Sequence, residues 1–154
     1  MRGRLIAPLF YFRERRKTKM SKSAIYTVNT SSQTLAINGI INPGTVIRRF
    51  GCNCALSGNS IRIQGSGYYD IDASFTVAPT AVGTVTITAF KDGVAIQGAT
   101  ASAATSTAGN PVNLSLVGLT RENCSCCDDV SNITFVLSGS AATVTNSAIV
   151  IEKI

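Results

Sequence analysis

Hydrophobic and polar residues alternate along most of this chain with a period of two. The clearest run is Gly65–Val77, where Tyr69, Ile71, Ala73, Phe75 and Val77 fall on one side and Tyr68, Asp70, Asp72, Ser74 and Thr76 on the other. A strand with one buried and one wet face requires that pattern, whereas a helix would scatter the same residues around its circumference. Gly65 and Gly67 give the backbone freedom to turn into the strand, and Pro79 sits just beyond its end, where a ladder donor is no longer needed. This stretch is predicted to be a central strand of an antiparallel β-sandwich.

The same pattern recurs on both sides of it. Ala24–Val28 reads as a first strand, followed by Leu35, Ile37 and Ile40-Ile41, with Asn38-Gly39 and Asn42-Pro43-Gly44 as turn signals. Val46–Phe50 leads into Gly51-Cys-Asn-Cys-Ala-Leu-Ser-Gly58, and Asn59–Gln64 places Ile61 and Ile63 on one face. Thr84–Phe90 alternates Val85, Ile87 and Ala89 with threonines, and meets Val94–Gln97 across Lys91-Asp92-Gly93. Asp-Gly between extended runs is a strong hairpin signal, because both turn residues must accept positive φ. Gly98–Asn110, rich in Ala, Ser and Thr, is expected to be a short edge segment plus a loop. Val112, Leu114 and Leu116 are in phase, Arg121–Asp129 reads as a polar loop, and Ile133, Phe135 and Leu137 form the next strand. The final run, Thr145–Ile154, is apolar on both faces from Ala148 to Ile151, so it should be central in the sandwich or covered by another subunit. Ten or so short strands at this spacing predict an all-β sandwich or jelly roll.

Composition agrees. Charged residues are 14% of the 154, against roughly 25% in an average globular chain, and the apolar share is mostly small and β-branched, which is poor helix material. The net charge of +6 belongs entirely to the N-terminus. Residues 1–19 hold Arg2, Arg4, Arg13, Arg15, Arg16, Lys17 and Lys19 against Glu14, while the remainder carries equal numbers of basic and acidic residues. No basic face is left on the domain from which to argue nucleic-acid binding. The apolar run Leu5–Phe12 is interrupted by Pro8, is too short to span a bilayer and lacks the order of a secretion signal. Residues 1–22 are therefore expected to be a disordered basic leader, read through ahead of a start at Met20; the competing reading is a basic arm for a membrane surface or nucleic acid. Residues 23–154 are expected to form one domain.

Candidate chemistry is sparse. The chain has no histidine, which removes Ser-His-Asp and Cys-His catalysis and histidine-ligated metal sites together. Asp70 and Asp72, two apart on one strand face, have the spacing for paired acid/base work or an oxygen-ligand cation site, but solvated partners of a buried apolar row use the same pattern. Asp128-Asp129 is a weaker cation candidate. The cysteines form two clusters, Cys52 with Cys54, expected to share a strand face, and Cys124 with Cys126 and Cys127. Together they are the candidate thiolate set for zinc or iron. Disulfides between the clusters, leaving one thiol over, or reduced buried thiols are expected in preference to metal, since a C-x-C pair suits such sites less well than C-x-x-C. Asn29, Asn113, Asn123 and Asn132 head glycosylation sequons. No catalytic residue and no cofactor is assigned.

Four segments, Gly67-Tyr-Tyr-Asp-Ile71, Gly83-Thr-Val-Thr-Ile87, Asp92-Gly-Val-Ala-Ile-Gln-Gly98 and Ala148-Ile-Val-Ile-Glu-Lys153, resemble in order and spacing the C-terminal domain of the collagen-like spore-surface glycoprotein BclA. That domain is a jelly roll similar to the C1q and tumour-necrosis-factor family, and small phage and prophage structural proteins resemble the chain equally. Phe50-Gly51 also falls where that domain has Phe-Gly. The resemblance covers about residues 24–154 and implies a C1q/TNF-like fold and a homotrimer. It implies a non-enzymatic role as a virion head-fibre, decoration or tail-associated protein, with a secreted or spore-surface module binding carbohydrate or a receptor as the alternative. The collagen stalk is missing, and the cysteine clusters are no part of that family's pattern.

Overall fold

The computed structural model describes residues 22–122 and 130–154. Eleven strands are present among them and no helix: β1 (Ser23–Asn29), β2 (Gln33–Leu35), β3 (Thr45–Phe50), β4 (Cys54–Ser57), β5 (Ser60–Gln64), β6 (Gly67–Pro79), β7 (Gly83–Lys91), β8 (Val94–Thr105), β9 (Val112–Glu122), β10 (Val130–Ser138) and β11 (Ala142–Lys153). One sheet runs β3-β1-β11-β6-β9, with β2 also pairing β11, and the other runs β4-β5-β10-β7-β8. Every pairing is antiparallel. From β5 onward the chain changes sheet at each connection except the β7–β8 hairpin, so the two layers are wound together as a jelly roll.

The alternation in β6 governs the packing. Tyr69, Ile71, Ala73, Phe75 and Val77 are all buried, while Tyr68, Asp72 and Ser74 are exposed. The strand lies between β11 and β9, and its inner row meets Ile87, Phe135 and Leu137 from the facing sheet in one continuous core. Phe75 and Phe135 stack obliquely across the layers, with ring centroids 5.5 Å apart, a geometry that favours edge-to-face attraction. At the head of β6 the Tyr69 hydroxyl donates to the carbonyls of Gln64 and Gly65 at 2.7 and 2.9 Å, so the ring is buried without stranding its polar end. The Asp92-Gly93 hairpin forms as expected, with φ of 51° and 84°.

Several boundaries differ from the sequence reading. β8 runs unbroken to Thr105, because Ala101 to Ala104 pair fully with β7, and small residues suffice where the partner strand supplies the bulk. Residues 54–57 form a strand against β5, although Cys-Ala-Leu-Ser has little alternation of its own. Arg121 and Glu122 belong to β9, not to the following loop. Of the second expected strand only three residues are regular; Ile40 makes an isolated bridge to Val136, and Ile41 is buried. Cys52 and Cys54 do not share a strand face: Cys52 lies exposed in the bend before β4, and Cys54 is buried in it.

Candidate functional site

Residues 1–21 and 123–129 lie outside the described residues, and with them the basic leader, Cys124, Cys126, Cys127, Asp128, Asp129 and the Asn123 sequon. Cys54 is pressed into the core. Burial pushes its thiol up to about 11, against a smaller downward pull from Arg49 and Lys153. A thiol of that kind stays protonated near neutrality and is a poor nucleophile and a poor metal ligand. Among the described residues no group of three or more His, Cys, Asp or Glu side chains could hold a metal. The bend at Cys52 is held by its neighbour Asn53, which accepts from Ser23 Oγ at 2.6 Å and donates to the Gln64 carbonyl at 2.6 Å.

Asp70 and Asp72 stand on the outer face of the six-stranded sheet, as their spacing predicts, but in company the sequence did not disclose. The ladder aligns residues into rows across five strands. One row reads Phe50, Ala24, Glu152, Asp70, Leu119, and the next Arg48, Tyr26, Val150, Asp72, Val117. Asp70 therefore lies directly opposite Glu152, an arrangement of like charges that is unfavourable in an isolated sheet. Neither they nor Asp72 make an ion pair among the described residues, where Lys91 and Glu122 at 3.7 Å form the one such contact. Around these acids the face is apolar. Phe50, Leu119 and Val117 are 59%, 55% and 64% exposed, and Tyr68 stands out below the Arg121 guanidinium at 5.8 Å. Val28, Ala148 and Val150 extend the surface. At the β8–β9 margin lies an open hollow of about 460 Å³, lined by Asp70, Gly98, Val117, Gly118, Leu119 and Ile154. β3 forms the opposite margin; all six of its residues are exposed, and among the described residues β1 is the one strand it pairs with.

The carboxylates sit on the open outer face, with Asp70 in the lining of the hollow and Asp72 exposed beside it. What the surface offers is area: apolar side chains in register, an acidic centre, and basic side chains at Arg48 and Arg121. Glu152, Val117, Leu119 and Phe50 were not picked out as site residues from the sequence. The one available signal was the run Ala148–Ile151, apolar on both sides of a single strand.

The architecture is a TNF-like jelly roll. Murine APRIL superposes with a TM-score of 0.66 at 11% identity, over 86% of this chain and 99% of that one. Eiger TNF from S. frugiperda gives 0.62 at 6% identity, over 86% and 91%. The PRD1 vertex protein P5 gives 0.55 at 19% identity, over 86% and 96%. At such identities the likeness is one of fold. No protein-family model and no curated protein sequence matches the chain. Among the described residues no helix is long and apolar enough to cross a membrane.

Proposed function

We propose that this chain is a non-enzymatic structural head domain that assembles as a homotrimer through the outer face of its six-stranded sheet, as a component of a phage or prophage virion. The observation that carries the reading is that face itself. It sets exposed Phe50, Val117 and Leu119 in register with half-buried Tyr26 and Val150, and nothing else among the described residues covers it. Large contiguous apolar patches on a folded domain mark interaction surfaces, and a second copy is the simplest cover. The resemblance to trimeric jelly rolls supports three copies, and a vertex protein with the same fold supports a place in a virion. Residues 1–22 are read as a leader outside the assembled domain.

Sedimentation velocity with light scattering tests the assembly: three chains per particle at micromolar concentration is the expected result, and a monomer overturns it. Gene neighbourhood tests the setting. Capsid and tail genes alongside support the virion, whereas an export or sporulation locus transfers the domain to the secreted or spore-surface binding role.

A further inference from the structure

The outer face of the six-stranded sheet differs at its two margins, and the differences are matched. At the β3 margin Phe50 and Arg48 occupy adjacent rows, both exposed, on a strand whose far edge has no strand neighbour among the described residues. At the other margin the same two rows end at Leu119 and Val117, on the rim of the hollow beside β8, with Asp70 and Asp72 one strand inward. Gly118 shapes the floor of that hollow: a Cβ there would come within 2.8 Å of the Ala99 Cβ, so glycine lets β9 close on β8. Each row thus carries a projecting group at one end and its chemical complement at the other. Phe50 matches the apolar hollow, and Arg48 matches the carboxylate of Asp72. Arg48 and Asp72 are three strand spacings apart, about 14 Å, so they do not meet within one chain. Complementary patches at opposite ends of one surface define a heterologous contact, the kind that closes into a ring.

Building on the self-assembly proposed above, we infer that Phe50 of one copy seats in the β8–β9 hollow of the next, with Arg48 paired to Asp72 in the adjacent row. Both matches keep the same row order, Phe50 toward Leu119 and Arg48 toward Val117. Neighbouring copies therefore keep a common strand direction, which requires a rotation axis running roughly along the strands. The same contact supplies a countercharge to an acidic cluster that is repulsive in the isolated chain.

The test is sedimentation equilibrium of the full chain carrying Phe50→Ala, Arg48→Glu, Asp72→Arg, or Arg48→Glu with Asp72→Arg. Each single change is expected to weaken association by about 30-fold or more, the scale of an interface hot spot. The double charge exchange should recover to within about tenfold of wild type. All three side chains are exposed, so circular dichroism should show an unchanged fold. Wild-type association in Phe50→Ala, or charge variants that fail without mutual rescue, overturns the pairing. Association that EDTA abolishes and Arg48→Glu leaves intact also overturns it, by assigning the carboxylates to a bound cation. A wild-type chain that is itself monomeric at tens of micromolar removes the assembly reading first, and this pairing with it.

Discussion

The two outer faces of the sandwich are built to opposite specifications. On the five-stranded sheet the outer rows of β7 and β8 are hydroxyls that satisfy one another: Thr86 and Ser102 are 2.8 Å apart, and Thr88 and Thr100 are 2.9 Å apart. Cross-strand Thr–Thr and Thr–Ser pairs stabilise a sheet while leaving it compatible with water. On the six-stranded sheet the equivalent rows hold Phe50, Tyr26, Val150, Val117 and Leu119 around three acids, one of which faces another across the ladder. Both faces cover the same core, so burial inside the chain does not account for the difference. A face made of hydroxyl pairs is complete in solvent, whereas the other sets exposed aliphatics beside acids that make no ion pair among the described residues, the feature from which a covering partner is proposed.

The largest expected effect lies in the layer the two faces share. Phe75→Ala removes a ring packed on Phe135 and should cost about 3–5 kcal/mol of unfolding free energy, with both sheets melting in one transition by denaturant titration. Separate transitions would mean that the faces belong to independently stable layers. Next comes a matched pair of surface changes. Val150→Arg, in the centre of the apolar face, should weaken association by more than about 100-fold, since it puts a long side chain into the contact and a second positive charge opposite Asp72, where Arg48 of the next copy is to pair. Thr86→Arg on the hydroxyl face should leave association unchanged and alter stability by about 1 kcal/mol or less. Equal effects from the two would erase the distinction.

A smaller effect marks the inner side of the five-stranded sheet. Because burial holds the Cys54 thiol near 11, its thiolate fraction at pH 8 is about 0.1%, and mapped alkylation should find it about 100-fold slower than an exposed thiol of ordinary acidity. The rate should rise with pH toward that value; fast labelling at pH 8 would place Cys54 outside the core. The smallest effect belongs to β1. The Thr27 hydroxyl is fully buried and has no hydrogen-bond partner among the described residues, so Thr27→Val should raise stability by up to about 1 kcal/mol in thermal unfolding.

How much could be read from the residues in advance depended on how local the cause was. β6 and the Asp92-Gly93 hairpin were legible because alternation and turn chemistry act within a few residues. β4 was not, since Cys54 and Leu56 become a strand by pairing with Ile63 and Ile61. The continuation of β8 past Gly98 depends likewise on β7. The candidate site was half legible. Asp70 and Asp72 were visible as a pair on a wet face, and Ala148–Ile151 announced a strand with an apolar outer side. That Glu152 stands opposite Asp70, or that Phe50 and Leu119 close one row, required the register of four separate strand pairings.

Side-chain polarity in sequence determined the class of this protein: strands with one greasy face, few charges on the domain, and no imidazole for chemistry. The tertiary structure alone decided which strands became neighbours, and therefore which exposed groups share a row. Alternation specifies the face a residue points to, because the pleat has a period of two. Strand order depends on contacts between distant segments, which no local window contains.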